Sequence, residues 1–106
     1  MPTNQFPVWK PYRTTLQAFK SEDIKRRYKA IRGSSDCFLK KAEVRDFILS
    51  RDNQKCCECG DTNNLTIDHI VSVYRYARDR ITNITSLNSE ANLRVLCNFC
   101  NAKKTP

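Results

Sequence analysis

Leu65-Thr66-Ile67-Asp68-His69-Ile70 carries the only histidine of the chain and lies between two cysteine pairs, Cys56-x-x-Cys59 upstream and Cys97-x-x-Cys100 downstream. Leu65-Thr66-Ile67 reads as a short strand, because β-branched residues follow the turn-forming Asp61-Thr62-Asn63-Asn64. Asn92-Leu93-Arg94-Val95-Leu96 reads as a second strand that runs directly into Cys97, and Asn98 to Lys104 as a short helix stopped by Pro106. The order is knuckle, strand, long loop, strand, knuckle, helix, which is an α+β arrangement.

The four thiols are the usual complement of a closed structural zinc site. Two intervening residues let both sulfurs of a pair reach one ion from a tight turn, and Gly60 suits that turn. Residues 60 to 96, 37 in all, separate the pairs, more than the roughly 15–20 of a compact four-cysteine ribbon. An insert is therefore built between the knuckles, and it contains Asp68 and His69. Cys57 lies inside the first pair, but the two-residue spacer favours Cys56 and Cys59 as ligands. Cys37 reads as a small core residue. No export signal precedes the cysteines, so paired metal ligands are favoured over disulfides, and the chain is expected to be cytoplasmic.

Upstream, Pro2, Pro7 and Pro11 oppose helix, and Phe6, Val8, Trp9, Tyr12 and Phe19 accompany them. These aromatics suit either an apolar strap across the domain or stacking on nucleic acid beside Lys10 and Arg13. Ser21-Glu22-Asp23 starts a helix whose apolar face is Ile24, Tyr28 and Ile31, with Gly33 as its expected end. Ser34-Ser35-Asp36 reads as a linker, and a second helix from Leu39 to Arg51 buries Phe38, Val44, Phe47 and Ile48. This divides the chain into a basic arm and helix, 1–37, and a zinc-knuckle domain, 38–106.

With 106 residues and a mean hydropathy of −0.64, the core is small and a metal staple would help it fold. The net charge of +8 points to a polyanion, nucleic acid rather than a membrane surface. Residues 1–55 carry 13 Lys and Arg against 6 Asp and Glu, while residues 56–106 carry 6 against 5, so the field is strongest at the front. No apolar run is long enough to span a membrane.

Taken in register, Cys56-x-x-Cys59-Gly60, Ile67-Asp68-His69-Ile70, Asn92-Leu93-x-x-Leu96-Cys97-x-x-Cys100-Asn101 and Lys103-Lys104 resemble the HNH, or ββα-metal, nucleases. The likeness runs from about residue 44 to 105 and includes Arg51-Asp52. It implies a two-stranded antiparallel hairpin plus a helix, stapled by four cysteines, with the N-terminal helices added. It also implies His69 as the general base, Asp68 as a ligand of a catalytic Mg²⁺ or Mn²⁺, and Asn92 as the residue that ties the strands and orients His69. Asn101 stands where the third letter is commonly His, and Asn also serves there as a metal ligand in the family.

These roles agree with the chemistry. An imidazole titrating near pH 6.5 is a competent base at neutral pH, and the carboxylate and amide oxygens of Asp68 and Asn101 suit a hard cation. Adjacent strand residues face opposite ways, so Asp68 and His69 share a site only if the strand ends or bends there. The insert Val71–Ala91 departs from the family's short Pro- and Gly-rich loop, with Ser72 and Val73 where Pro and small residues are common. Arg94, Lys103 and Lys104 flank the catalytic elements and are expected on the phosphate backbone, with Arg75, Arg78 and Arg80 of the insert as further candidates. The resemblance implies DNA cleavage leaving 5′-phosphate and 3′-hydroxyl ends, like small free-standing proteins of bacteria and phages. One active site then means nicking, or double-strand cutting by a homodimer, paired nicks or a larger assembly. A zinc module that binds nucleic acid without cutting is the rival.

Overall fold

In the computed structural model, residues 5–11, 17–81 and 83–104 are described. Tyr12 and Arg13 of the arm lie outside them. Helix α1 (Ile24–Leu39) and helix α2 (Ala42–Arg51) are followed by strand β1 (Leu65–His69) and the short helix α3 (Val73–Arg78). A single 3₁₀ turn, Glu90–Asn92, leads into strand β2 (Leu93–Cys97), and helix α4 (Asn98–Lys103) starts at once.

Helix α1 starts directly after Ser21-Glu22-Asp23, with Asp23 rather than Ser21 as the cap. The Asp23 carboxylate accepts from the Lys25 N–H at 2.9 Å, satisfying a donor that the first turn leaves free. Its end differs from expectation, since the helix passes through Gly33 and the supposed linker Ser34-Ser35-Asp36 as far as Leu39. Residue 37 therefore lies inside a helix. Packing explains the extension: Arg27, Ile31, Ser35 and Phe38 recur at helical spacing and are all buried. Their burial outweighs the roughly 1 kcal/mol that a mid-helix glycine costs. Cys37 falls on the opposite side and is exposed, so it is not the core residue its type suggested. Arg27 is likewise no surface charge. At 3 % exposure it donates through Nε to Ala77 O (2.8 Å) and through a guanidinium nitrogen to Ser21 O (2.5 Å), joining α1 to α3.

β1 and β2 pair antiparallel, with Leu65 opposite Cys97 and His69 opposite Leu93. Ile48 of α2, with Leu93 and Val95 of β2, forms one apolar cluster, against which Leu65, Ile67 and Phe47 pack. A larger cluster lies between the two helices and the insert: Ile31 and Phe38 of α1 and Val44 of α2 meet Val73, Tyr76, Ala77, Ile84 and Leu87. The insert is thus a second structural layer. Trp9 and Phe19 are buried in the same cluster, and Phe6 packs edge-on against Phe38 and Phe47 with ring centroids 5.8 and 5.3 Å apart. The strap reading holds for these three side chains, while Val8 is 75 % exposed.

Arg51 and Asp52 fasten α2 to the sheet. Arg51 donates to Glu90 O (2.7 Å) and Leu93 O (2.5 Å) and pairs with Asp52 (2.8 Å). Asp52 accepts from the Val95 N–H at 3.0 Å. The Arg51 hydrogen bond holds the Asp52 carboxyl below its usual range, outweighing partial burial. Asn53 and Gln54 then take left-handed φ values of 61° and 57°, which turn the chain into the first knuckle. No helix among the described residues is long and apolar enough to cross a membrane.

Candidate functional site

The sulfurs of Cys56, Cys59, Cys97 and Cys100 all lie within 4.8 Å of one another. Tetrahedral Zn²⁺ with bonds of about 2.3 Å sets its sulfurs roughly 3.8 Å apart, and Cys59 and Cys97 already stand at 3.6 Å. A disulfide would need about 2.05 Å. The donor set and spacing fit a structural metal such as zinc. Each knuckle is shaped locally: Gly60 takes φ 80° and donates to Cys56 O at 2.9 Å, while the Cys97 thiol caps α4 by accepting from the Cys100 N–H. Burial opposes ionisation of Cys56, but N–H groups of Cys59, Cys97 and Glu58 outweigh it and bring the thiol down to about 6. Burial and the neighbouring thiols push Cys100 up to about 12. Four sulfurs this close cannot all ionise without a cation among them. Cys57 points away, with its Sγ on Asp52 at 3.4 Å.

His69 closes β1 and is 6 % exposed. Its Nε2 lies 2.7 Å from Asn88 Oδ1 and 3.1 Å from Ser35 Oγ, and the Ser35 hydroxyl donates to the same Asn88 oxygen at 3.0 Å. With Asn88 Oδ1 facing the ring, the arrangement fits the tautomer in which Nε2 carries the proton and Nδ1 keeps its lone pair. Desolvation lowers the His69 pKa, aided by Arg32 and Lys104 and opposed by the Asn88 hydrogen bond and Asp68, so the ring is neutral at pH 7. A neutral imidazole with one nitrogen anchored and the other unprotonated has the form of a general base. Ser35 and Asn88 had no sequence signal: one lay in an apparent linker, the other in a polar stretch of the insert.

Asp68 takes different partners. Its carboxylate accepts from Arg94 Nε (3.3 Å) and from Lys104 Nζ (3.0 and 3.2 Å), and Lys104 also donates to His69 O. The strand stays extended through His69, so the two side chains leave it towards separate groups, and Lys104 is what links the two residues. Asn101 is on the Asp68 side of the sheet: its Nδ2 donates to Thr66 Oγ1 at 3.0 Å, two residues before Asp68. That leaves its Oδ1 without a partner among the described residues. Asp68 and Asn101 thus offer hard oxygen donors, although a divalent ion on Asp68 would have to displace the Lys104 ammonium. Asn92 acts as a clamp, accepting from the Val71 N–H at 2.8 Å and donating to Val71 O (3.1 Å) and Leu87 O (2.8 Å). It fixes the exit of β1 to the loop that carries Asn88, and so acts on His69 indirectly.

No family model, curated protein or solved structure matches this chain.

The cations sort into two groups. Arg94 is held between Asp68 and Glu58 (3.0 Å), Arg78 by Asp79 (2.9 Å) and Arg80 by Glu22 (3.2 Å). Arg75 is exposed, and Lys103 lies 4.6 Å over the Phe99 ring. Lys104 lines a cleft of about 680 Å³ together with Asn101 and with Lys25, Lys29 and Arg32 of α1. The basic face of α1 was legible in the sequence, but its position opposite α4 was not.

Proposed function

We propose that this protein is a metal-dependent endonuclease of the HNH, or ββα-metal, type that hydrolyses DNA phosphodiester bonds. The observation that carries the reading is His69 at the end of β1, neutral and tied through Nε2 to Asn88. Asp68 and Asn101 lie on the same β1–β2–α4 unit, and Asn92 closes the turn that leads into β2. His69 Nδ1 takes the proton of the attacking water. Asp68 and Asn101 Oδ1 would hold Mg²⁺ or Mn²⁺, with Lys104 displaced from the carboxylate. That cation, when bound, supplies positive charge to the phosphorane oxygens and to the departing 3′-oxygen. The products are 5′-phosphate and 3′-hydroxyl ends. Zinc on Cys56, Cys59, Cys97 and Cys100 would fix where Asn101 stands, since Asn101 directly follows Cys100. The cleft edged by Lys25, Lys29, Arg32 and Lys104 supports DNA as the partner through phosphate contacts.

The engagement of Asp68 by Arg94 and Lys104 favours a second reading, a zinc module that binds nucleic acid without cutting it. Incubation of supercoiled plasmid with zinc-loaded protein and Mg²⁺ or Mn²⁺, beside His69→Ala, separates the two. The nuclease reading expects nicking by the wild type and loss of about 10²–10⁴-fold in rate in the variant. Equal cutting by both proteins, or none by the wild type with either metal, leaves the binding module as the better account.

A further inference from the structure

The cleft between α1, the start of α3 and α4 has walls that phosphate contact alone does not explain. Lys25, Lys29 and Arg32 recur along one side of α1, and Lys104 faces them from the end of α4. Between these cations the surface is apolar and aromatic: Ile24 and Tyr28 from α1, Val73 and Tyr74 from α3. Tyr74 is 43 % exposed, and no acidic side chain is among the lining residues. Arg32 shares its charge with Asp36 at 3.3 Å, while Lys25 and Lys29 make no ion pair among the described residues. A merely solvated helix face does not account for two tyrosine rings lining an open cleft of about 680 Å³, a size typical of sites that hold a small organic group.

A duplex offers phosphates to such a cleft, but stacking covers the faces of its bases. An unpaired nucleotide offers both the phosphate that the lysines need and a ring face that the tyrosines can stack on. We propose that this cleft binds an unpaired stretch of a nucleic-acid strand, its phosphates on Lys25, Lys29 and Arg32 and a base against Tyr28 and Tyr74. The proposal rests on the nucleic-acid reading above, not on hydrolysis. Because Asn101 and Lys104 line the same cleft, a strand held there passes the wall that carries the Asp68 contacts. Joined to the nuclease reading, the substrate class this gives the site is DNA with a frayed, branched or single-stranded segment.

The test uses the full zinc-loaded chain without Mg²⁺ or Mn²⁺, so that binding is read without cleavage. Fluorescence anisotropy compares a labelled DNA single strand, the duplex of the same sequence and the matching RNA strand. The single strand should bind more tightly than the duplex. Tyr74→Ala should weaken it by roughly 5- to 150-fold, the worth of one stacked base, with little change for the duplex, while Tyr74→Phe binds like the wild type. Lys29→Ala should reduce the salt slope for the single strand by about 0.7. Tighter DNA or tighter RNA binding with this tyrosine dependence identifies the strand type and sustains the proposal. Duplex binding as tight as single-strand binding overturns it, as does equal weakening of both by Tyr74→Ala. Single-strand binding with no cleavage of plasmid, branched or single-stranded DNA once Mg²⁺ or Mn²⁺ is added would remove the nuclease reading and leave the cleft, whereas nicking with duplex preference would do the reverse.

Discussion

Replacing Asn88 with alanine tests the geometry on which the candidate base depends. Asn88 is 1 % exposed, and its Oδ1 accepts from His69 Nε2–H at 2.7 Å and from the Ser35 hydroxyl at 3.0 Å. Two such bonds are worth about 1 kcal/mol each, and a buried donor left without a partner costs about 1–3 kcal/mol. In Asn88→Ala, His69 keeps Ser35 Oγ at 3.1 Å, but the Ser35 hydroxyl loses its acceptor. Against this, Asn88 Nδ2 is itself buried without a hydrogen-bond partner among the described residues, so its removal returns a comparable amount. The net destabilisation is about 1–2 kcal/mol, which for a domain of this size lowers Tm by roughly 4–16 °C. Thermal melts with saturating zinc measure it. Because His69 is the only histidine, its ¹⁵N signals report the tautomer without assignment work. The wild type should show the Nε2–H form alone, and Asn88→Ala a mixture. A melt within about 1 °C of wild type, with the tautomer unchanged, would refute the assignment of Asn88 as the anchor.

Three further outcomes are expected. Cys97→Ser or Cys100→Ser should abolish stoichiometric zinc and cooperative unfolding, because site formation and folding are coupled, while Cys57→Ser, outside the sulfur cluster, keeps both; zinc content by atomic absorption beside circular dichroism reads this. Gly33→Ala should raise stability by about 1 kcal/mol, since Gly33 sits mid-helix with nothing within 4 Å of an added Cβ; a urea midpoint unchanged or lower would contradict the continuous α1. Burial holds the His69 pKa below 6.5, so the unfolded chain takes up the proton first as pH falls. Its contribution to stability is therefore intact above pH 6.5 and declines below it. Thiol protonation acts in the same direction, so the His69 share is the part of the loss between pH 7.5 and 5.5 that disappears in His69→Gln, measured by urea denaturation and expected to be non-zero.

The sequence by itself determined what short-range pattern can carry. The two-residue spacers and Gly60 made the knuckles, β-branched residues after a polar turn marked β1, and Ser21-Glu22-Asp23 marked the start of α1. The four cysteines converge because each pair is a local turn and antiparallel pairing brings the turns together. What tertiary structure decided are the long-range choices. Gly33 looked like a helix end, and only the burial of Ile31, Ser35 and Phe38 against the insert carries α1 six residues further. Cys37 read as a core residue until that extension turned it outward.

Asp68 and His69 are neighbours in sequence, yet the pleat sends one to Arg94 and Lys104 and the other to Ser35 and Asn88. Those partners lie 26, 36, 34 and 19 residues away along the chain, on elements with their own local reasons to exist. Periodicity and spacing report what a residue is next to along one element. Which groups from separate elements end up sharing a proton or a charge is set by packing, because burial penalises every polar atom that does not find a partner.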